Sequence, residues 1–162
     1  LSVHSSLVSI EKCKETVLAK DLHFEGLYLI GSIFKIDNAY TEYSAGQTAL
    51  ERSQTLAQTH VALTNISVAD CLFKWFLHLN MGVYLQNVSI QHLSVANTAC
   101  SEGLIRAVCG LEVSKIDFEG GMIPYISKYY QTALKPPAFL TISDIALSET
   151  YWVSQVIEAE NI

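Results

Sequence analysis

The chain of 162 residues is long enough for one domain with its own core. Half of its residues are hydrophobic and 16% are charged, which excludes an intrinsically disordered protein. The formal net charge of −6, without a cluster of Lys and Arg, argues against a nucleic-acid partner, and no run of eighteen apolar residues predicts a membrane span in this segment.

We expect residues 1–162 to form a single repeat domain. Because the chain opens without methionine, we expect this domain to be a fragment of a larger protein. Two sequons, Asn65-Ile-Ser67 and Asn87-Val-Ser89, weakly favour a secreted context. The compartment stays open, with the cytoplasm slightly favoured. The four cysteines are Cys13, Cys71, Cys100 and Cys109. We favour free, buried thiols over disulfides, and the spacing of the cysteines does not determine how they would pair.

A repeated pattern of apolar residues predicts short parallel strands along the chain. The stretch LTNISVADCLF at 63–73 supplies the template, and segments starting at Ile90 and Val113 repeat it. A segment at Leu22 also fits, as a competing register, and Val88-Ser-Ile90 is an alternative to the strand at Leu93. The predicted strands lie near 7–11, 33–37, 65–69, 92–96, 115–119 and 139–143.

The segments between these strands have features that are typical of helices. Residues 48–60 lack Gly and Pro, Ser101 is a good N-cap, and Pro124 suits the first position of a helix. Apolar residues then follow at helical spacing. The predicted helices are 48–60, 101–109, 124–134 and 148–160.

The best copy of the template resembles the leucine-rich repeat family in its ribonuclease-inhibitor-like form. The family pattern L-x-x-L-x-L-x-x-N/C-x-L is matched by Leu63, Ile66, Val68, Cys71 and Phe73. The resemblance implies an α/β fold, a short curved solenoid with parallel strands on one face and helices on the other. The family's Asn or Cys is kept in one copy only, at Cys71. A compact α/β domain with a parallel sheet is the alternative.

Motifs of enzymes and cofactor sites do not occur in the sequence. Phosphate-binding glycine loops, H-E-x-x-H, C-x-x-C and G-x-S-x-G are missing. His60, His78 and His92 flank successive repeats near Cys71, but none has a partner at the spacing of metal ligands. We therefore expect no cofactor, no metal and no catalysis.

What the resemblance implies is a non-catalytic protein-binding module within a receptor, sensor or adaptor, with an unidentified protein partner on its concave face. A small α/β enzyme or ligand-binding domain is the alternative, with its site at the carboxyl ends of the strands: Asp70, Asn97, Glu119 and Asp144. A capping or scaffold segment is a third reading. The candidate residues of the concave face are Lys35, Asp37, Ser67, Asp70, Ser94, Asn97, Asp117, Glu119, Thr141 and Ser143.

Overall fold

A computed structural model describes residues 6–11, 16–37, 60–79, 87–107, 110–131, 140–150 and 155–161. These residues are mainly in strands, and none of them lies in a helix. The strands are β1 (Val8–Glu11), β2 (Val17–Glu25), β3 (Phe34–Asp37), β4 (His60–Ala69), β5 (Leu72–Leu79), β6 (Asn87–Ala107), β7 (Gly110–Val113), β8 (Ile116–Met122), β9 (Tyr125–Gln131), β10 (Leu140–Ile142), β11 (Ile145–Thr150) and β12 (Gln155–Asn161).

All twelve strands pair in parallel within one curled sheet that has two walls. The first wall is formed by β2, β4, the first half of β6, then β7 with β8, then β10 with β11. The second wall is formed by β1, β3, β5, the second half of β6, β9 and β12. Strand β6 is 21 residues long and belongs to both walls, so it joins them into one sheet.

The core lies inside the curl, where apolar side chains of successive coils stack on each other. Ile66, Leu93 and Ile116 are at most 1% exposed and lie in register on neighbouring strands. Leu22 and Ile145, at the two ends of this column, are partly buried. Burial of each large aliphatic side chain contributes about 1.5–3 kcal/mol, so the column stabilises the stack along its length.

Each coil turns from the first wall to the second at a left-handed residue. Asp70 has φ 53°, Asn97 has φ 47°, and Gly120 has φ 64°. Asp and Asn accept this conformation more readily than other residues with a side chain, and Gly does so at no steric cost. These residue types therefore fix where the chain bends.

The residues directly after this bend form a hydrogen-bonded column, here called the corner ladder: Cys71, Thr98 and Gly121. Thr98 Oγ1 donates to the carbonyl of Ala96 at 2.8 Å and accepts from the amide of Cys71 at 3.3 Å. Cys71 Sγ in turn donates to the carbonyl of Ala69 at 3.0 Å and accepts from the amide of Leu27 at 3.4 Å. Each coil thus satisfies a backbone group of the preceding one.

Gly121 has no side chain in the corner ladder, because only a hydrogen fits at its α-carbon. A β-carbon there would clash with the backbone of Thr98, and its φ of 127° is one that side chains avoid. The backbones of two coils therefore approach closely at this point.

The strand-plus-helix architecture is wrong for the described residues, and so is the compact α/β alternative. Residues 101–107 belong to β6, residues 125–131 form β9, and the segment 148–160 contributes to β11 and β12. Residues 48–59 lie outside the described part. Apolar residues at helical spacing were misleading because stacking of coils buries them equally well on strands, and tertiary context overrides local propensity.

A strand lies in each of the six predicted stretches. The template aligns them through Val8, Phe34, Ile66, Leu93, Ile116 and Leu140, and two of these five junctions are wrong, from Phe34 to Ile66 and from Ile116 to Leu140. Val8 and Phe34 pair with each other and then with Leu77, so they belong to the second wall. The partner of Ile66 towards the amino terminus is Leu22, the register that competed with Phe34. At the other end Ile145, rather than Leu140, pairs with Ile116.

We expect Ile116→Ala to lower the free energy of unfolding by about 2–5 kcal/mol, because it leaves a cavity within the central column. Ser94→Ala, on the outer face of β6, should change it by less than about 0.5 kcal/mol. Chemical denaturation of the two variants measures both values. Equal losses would show that the assigned register of the first wall is wrong.

The corner ladder makes a second prediction through Thr98, which is fully buried. Thr98→Val keeps the shape but removes the hydroxyl, so the amide of Cys71 loses its acceptor. We expect a loss of about 1–3 kcal/mol in unfolding free energy. Thr98→Ser keeps the hydroxyl and is the matched control; urea denaturation should show the smaller loss for Ser, and the reverse order would argue against the bridge.

Candidate functional site

Side chains on the outer face of the first wall form a column across four coils. This column, here called the polar strip, alternates along each strand with the apolar core. Adjacent members are separated by the strand spacing of about 4.8 Å. The polar strip consists of His23, Ser67, Ser94 and Asp117, each in register with the next.

One end of the polar strip brings a hydroxyl, an imidazole and a carboxylate together. His23 Nδ1 lies 2.7 Å from Ser67 Oγ, and His23 Nε2 lies 3.5 Å from Glu25 Oε2. The imidazole and the carboxylate are more than half exposed, so solvent screens their attraction. This arrangement supplies hydrogen-bonding groups to a partner, but it lacks the desolvated surroundings that activate a nucleophile.

The other end of the polar strip is an ion-pair network around Asp117. Its carboxylate lies 3.4 Å from His92 Nε2 and 3.3 Å from Lys115 Nζ. His92 occupies a left-handed position with φ 62° in β6, opposite the turn between β7 and β8. The strip therefore ends in a fixed carboxylate with basic neighbours.

The other predicted residues of the concave face do not join the polar strip. Asp70 and Asn97 are exposed at the bend between the walls, and Glu119 is in register with Ala96. Thr141 pairs with Glu112, and Ser143 Oγ donates to the carbonyl of Ser114 at 3.1 Å. Asp37 ends β3, and its side chain lies outside the described part.

Lys35 lies on the second wall, in a column that the sequence reasoning did not foresee. Its partner is His78, and the partner of His78 is Arg106. We call this column, in which His78 separates two cations, the cation ladder. Arg106 Nη1 donates to His78 Nε2 at 2.8 Å. Nothing local to His78 or Arg106 marks them, since only the pairing of distant strands brings them together.

The environment of His78 keeps its imidazole neutral at neutral pH. Burial is the main cause, and the positive charges of Arg106, Lys35 and Lys74 act in the same direction. Together they lower the pKa of His78 from 6.5 to about 4, against an opposing effect of Glu102. A neutral imidazole is what allows His78 to accept a hydrogen bond from Arg106.

The residues of the alternative site at the carboxyl ends of strands are divided between two bends. Asp144 follows β10 within the first wall, whereas Asp70 and Asn97 lie at the bend between the walls. The three histidines near Cys71 are separate as well: His60 contacts Ser89, His78 contacts Arg106, and His92 contacts Asp117. Within the described ranges no three metal-ligating side chains converge.

Two cysteines are described, and both are free and buried. Cys71 belongs to the corner ladder, and burial raises the pKa of the Cys100 thiol, an effect to which Cys71 adds. A thiol held protonated in this way is a packing group rather than a nucleophile. Cys13 and Cys109 lie outside the described residues.

Comparisons with protein-family models, with curated proteins and with solved structures found no match for this chain. They give no support to the resemblance to leucine-rich repeats, whose helices the described residues do not contain. Among those residues no helix is long and apolar enough to cross a membrane.

The depressed pKa of His78 predicts an acid-sensitive fold. Protonation favours the unfolded chain, whose imidazole has the higher pKa, so this contribution to stability is complete above pH 6.5 and is lost as pH falls towards 4. We expect the melting temperature to fall over this interval by less in His78→Gln than in the wild type. Thermal melts at pH 7, 5.5 and 4 test it, and parallel curves for the two proteins would contradict it.

Proposed function

We propose that this chain is a non-catalytic binding module that recognises a macromolecular partner on the outer face of the first wall. The observation that carries the proposal is the register of the polar strip, which aligns side chains from four coils on one surface. Repeat proteins commonly use extended surfaces of this kind to hold another macromolecule.

The composition of the polar strip suits recognition. Ser67 and Ser94 have short side chains, which lose little conformational entropy when a partner binds them. Asp117 is already held by His92 and Lys115, so its side chain loses less conformational entropy when a complex forms.

The scaffold beneath the polar strip supports the same proposal. Three members of the strip lie between buried residues, as Ser94 does between Leu93 and Val95. The neighbours of the fourth, His23, are partly buried. The corner ladder fixes the end of each strand through hydrogen bonds of 2.8 and 3.3 Å at Thr98. Binding groups on rigid elements keep their geometry better than groups on loops. We assign the module to a larger receptor, sensor or adaptor, because recognition of a partner is its proposed contribution.

A photo-crosslinking amino acid at position 94 tests the proposal in an extract of cells that produce the protein. Position 112 is the matched control, because Glu112 is exposed on the same wall in another column. We expect a discrete crosslinked species from position 94 only, reduced at least tenfold by Asp117→Lys. Circular dichroism confirms that the variants are folded. Equal labelling from both positions, or none from position 94, would overturn the proposal.

A further inference from the structure

We propose that the second wall carries a separate docking surface for a protein partner that is both acidic and apolar. The surface combines the cation ladder with a column of exposed apolar side chains that crosses the same strand, β5. It does not depend on the polar strip, which lies on the first wall.

The cation ladder concentrates positive charge on a chain whose net charge is −6. Lys35 and Arg106 flank His78 on the two neighbouring strands, about 4.8 Å away on each side. Arg106 is oriented by its 2.8 Å hydrogen bond to His78. Arginine is a frequent partner of carboxylates, so Arg106 and Lys35 together favour an acidic group on this surface.

The apolar column runs across four successive coils at the start of β5. Tyr28 pairs with Leu72, Leu72 with Ala99, and Ala99 with Met122. Tyr28 is 79% exposed, and Leu72 and Met122 are 43% and 42% exposed. An isolated exposed apolar residue needs no explanation, but a column in register on consecutive coils is a continuous patch of the kind that marks interaction sites.

The two columns are close enough for one partner to contact both. Leu72 and His78 are six residues apart on β5, which corresponds to about 20 Å of extended strand. A typical protein interface buries about 800 Å² on each side and so spans this distance. Aromatic and Met side chains are enriched in such interfaces, and Tyr28 and Met122 are side chains of these types.

Charge and apolar surface together select a protein over other anionic partners. A sulfated polysaccharide would use the cation ladder but gain nothing from Tyr28 and Met122. A partner protein with carboxylates beside apolar residues satisfies both columns.

A copolymer of glutamate and tyrosine is a suitable probe because it carries both kinds of group. We expect the purified chain to bind this copolymer at least tenfold more tightly than polyglutamate, measured by fluorescence anisotropy at low and at physiological salt. Lys35→Glu with Arg106→Glu should weaken binding of both polymers at least tenfold. Tyr28→Ser with Met122→Ser should remove the preference for the copolymer.

Lys20→Glu is the matched control, since Lys20 is a 70% exposed lysine on the first wall, and it should leave the affinity within twofold. Tyr28 and Met122 are exposed, so their double variant keeps the proposal testable if the charge reversal prevents folding. No binding of the copolymer, or an equal loss in the control, overturns the proposal. Tighter binding of dextran sulfate or of phosphatidylserine vesicles, abolished by the charge reversal, overturns the protein partner as well.

Discussion

The bend between the two walls is the constraint on which the rest of the structure depends. A left-handed residue turns the chain, and the next residue ties its coil to the preceding one through a hydroxyl or a thiol, as Thr98 and Cys71 do. Without this tie, buried amides at the bend would lack acceptors, at a cost of about 1–3 kcal/mol each. The corner ladder therefore sets the register of both walls at once.

Register converts a sequence with irregular spacing into regular surfaces. Leu22, Ile66, Leu93, Ile116 and Ile145 are between 23 and 44 residues apart, yet they form one column. The same alignment produces the polar strip outside the first wall and the cation ladder on the second. Neither surface exists within any single coil, because each coil supplies only one side chain to each column.

The sequence was informative where alternation alone decides structure. The stretches around Ile66, Leu93 and Ile116 alternate apolar and polar residues, and these three apolar residues stack on each other. The polar residues that follow them, Ser67, Ser94 and Asp117, could therefore be grouped from their shared place in the template. Residues 101–107 and 125–131 could not be read in this way, since their apolar residues fit a helical face and a buried strand equally well. The position of Lys35 beside His78 depends on strand pairing across 43 residues, which no local pattern encodes.

The unequal spacing of the stacked positions has a consequence for how this chain tolerates change. A coil that spans 44 residues and one that spans 23 each place one apolar side chain in the same column, so the length of a coil does not decide its register. Longer closures add little entropic cost, because it grows only with the logarithm of length. The strands on either side of a longer coil therefore keep their places in the stack, because pairing and not spacing fixes them.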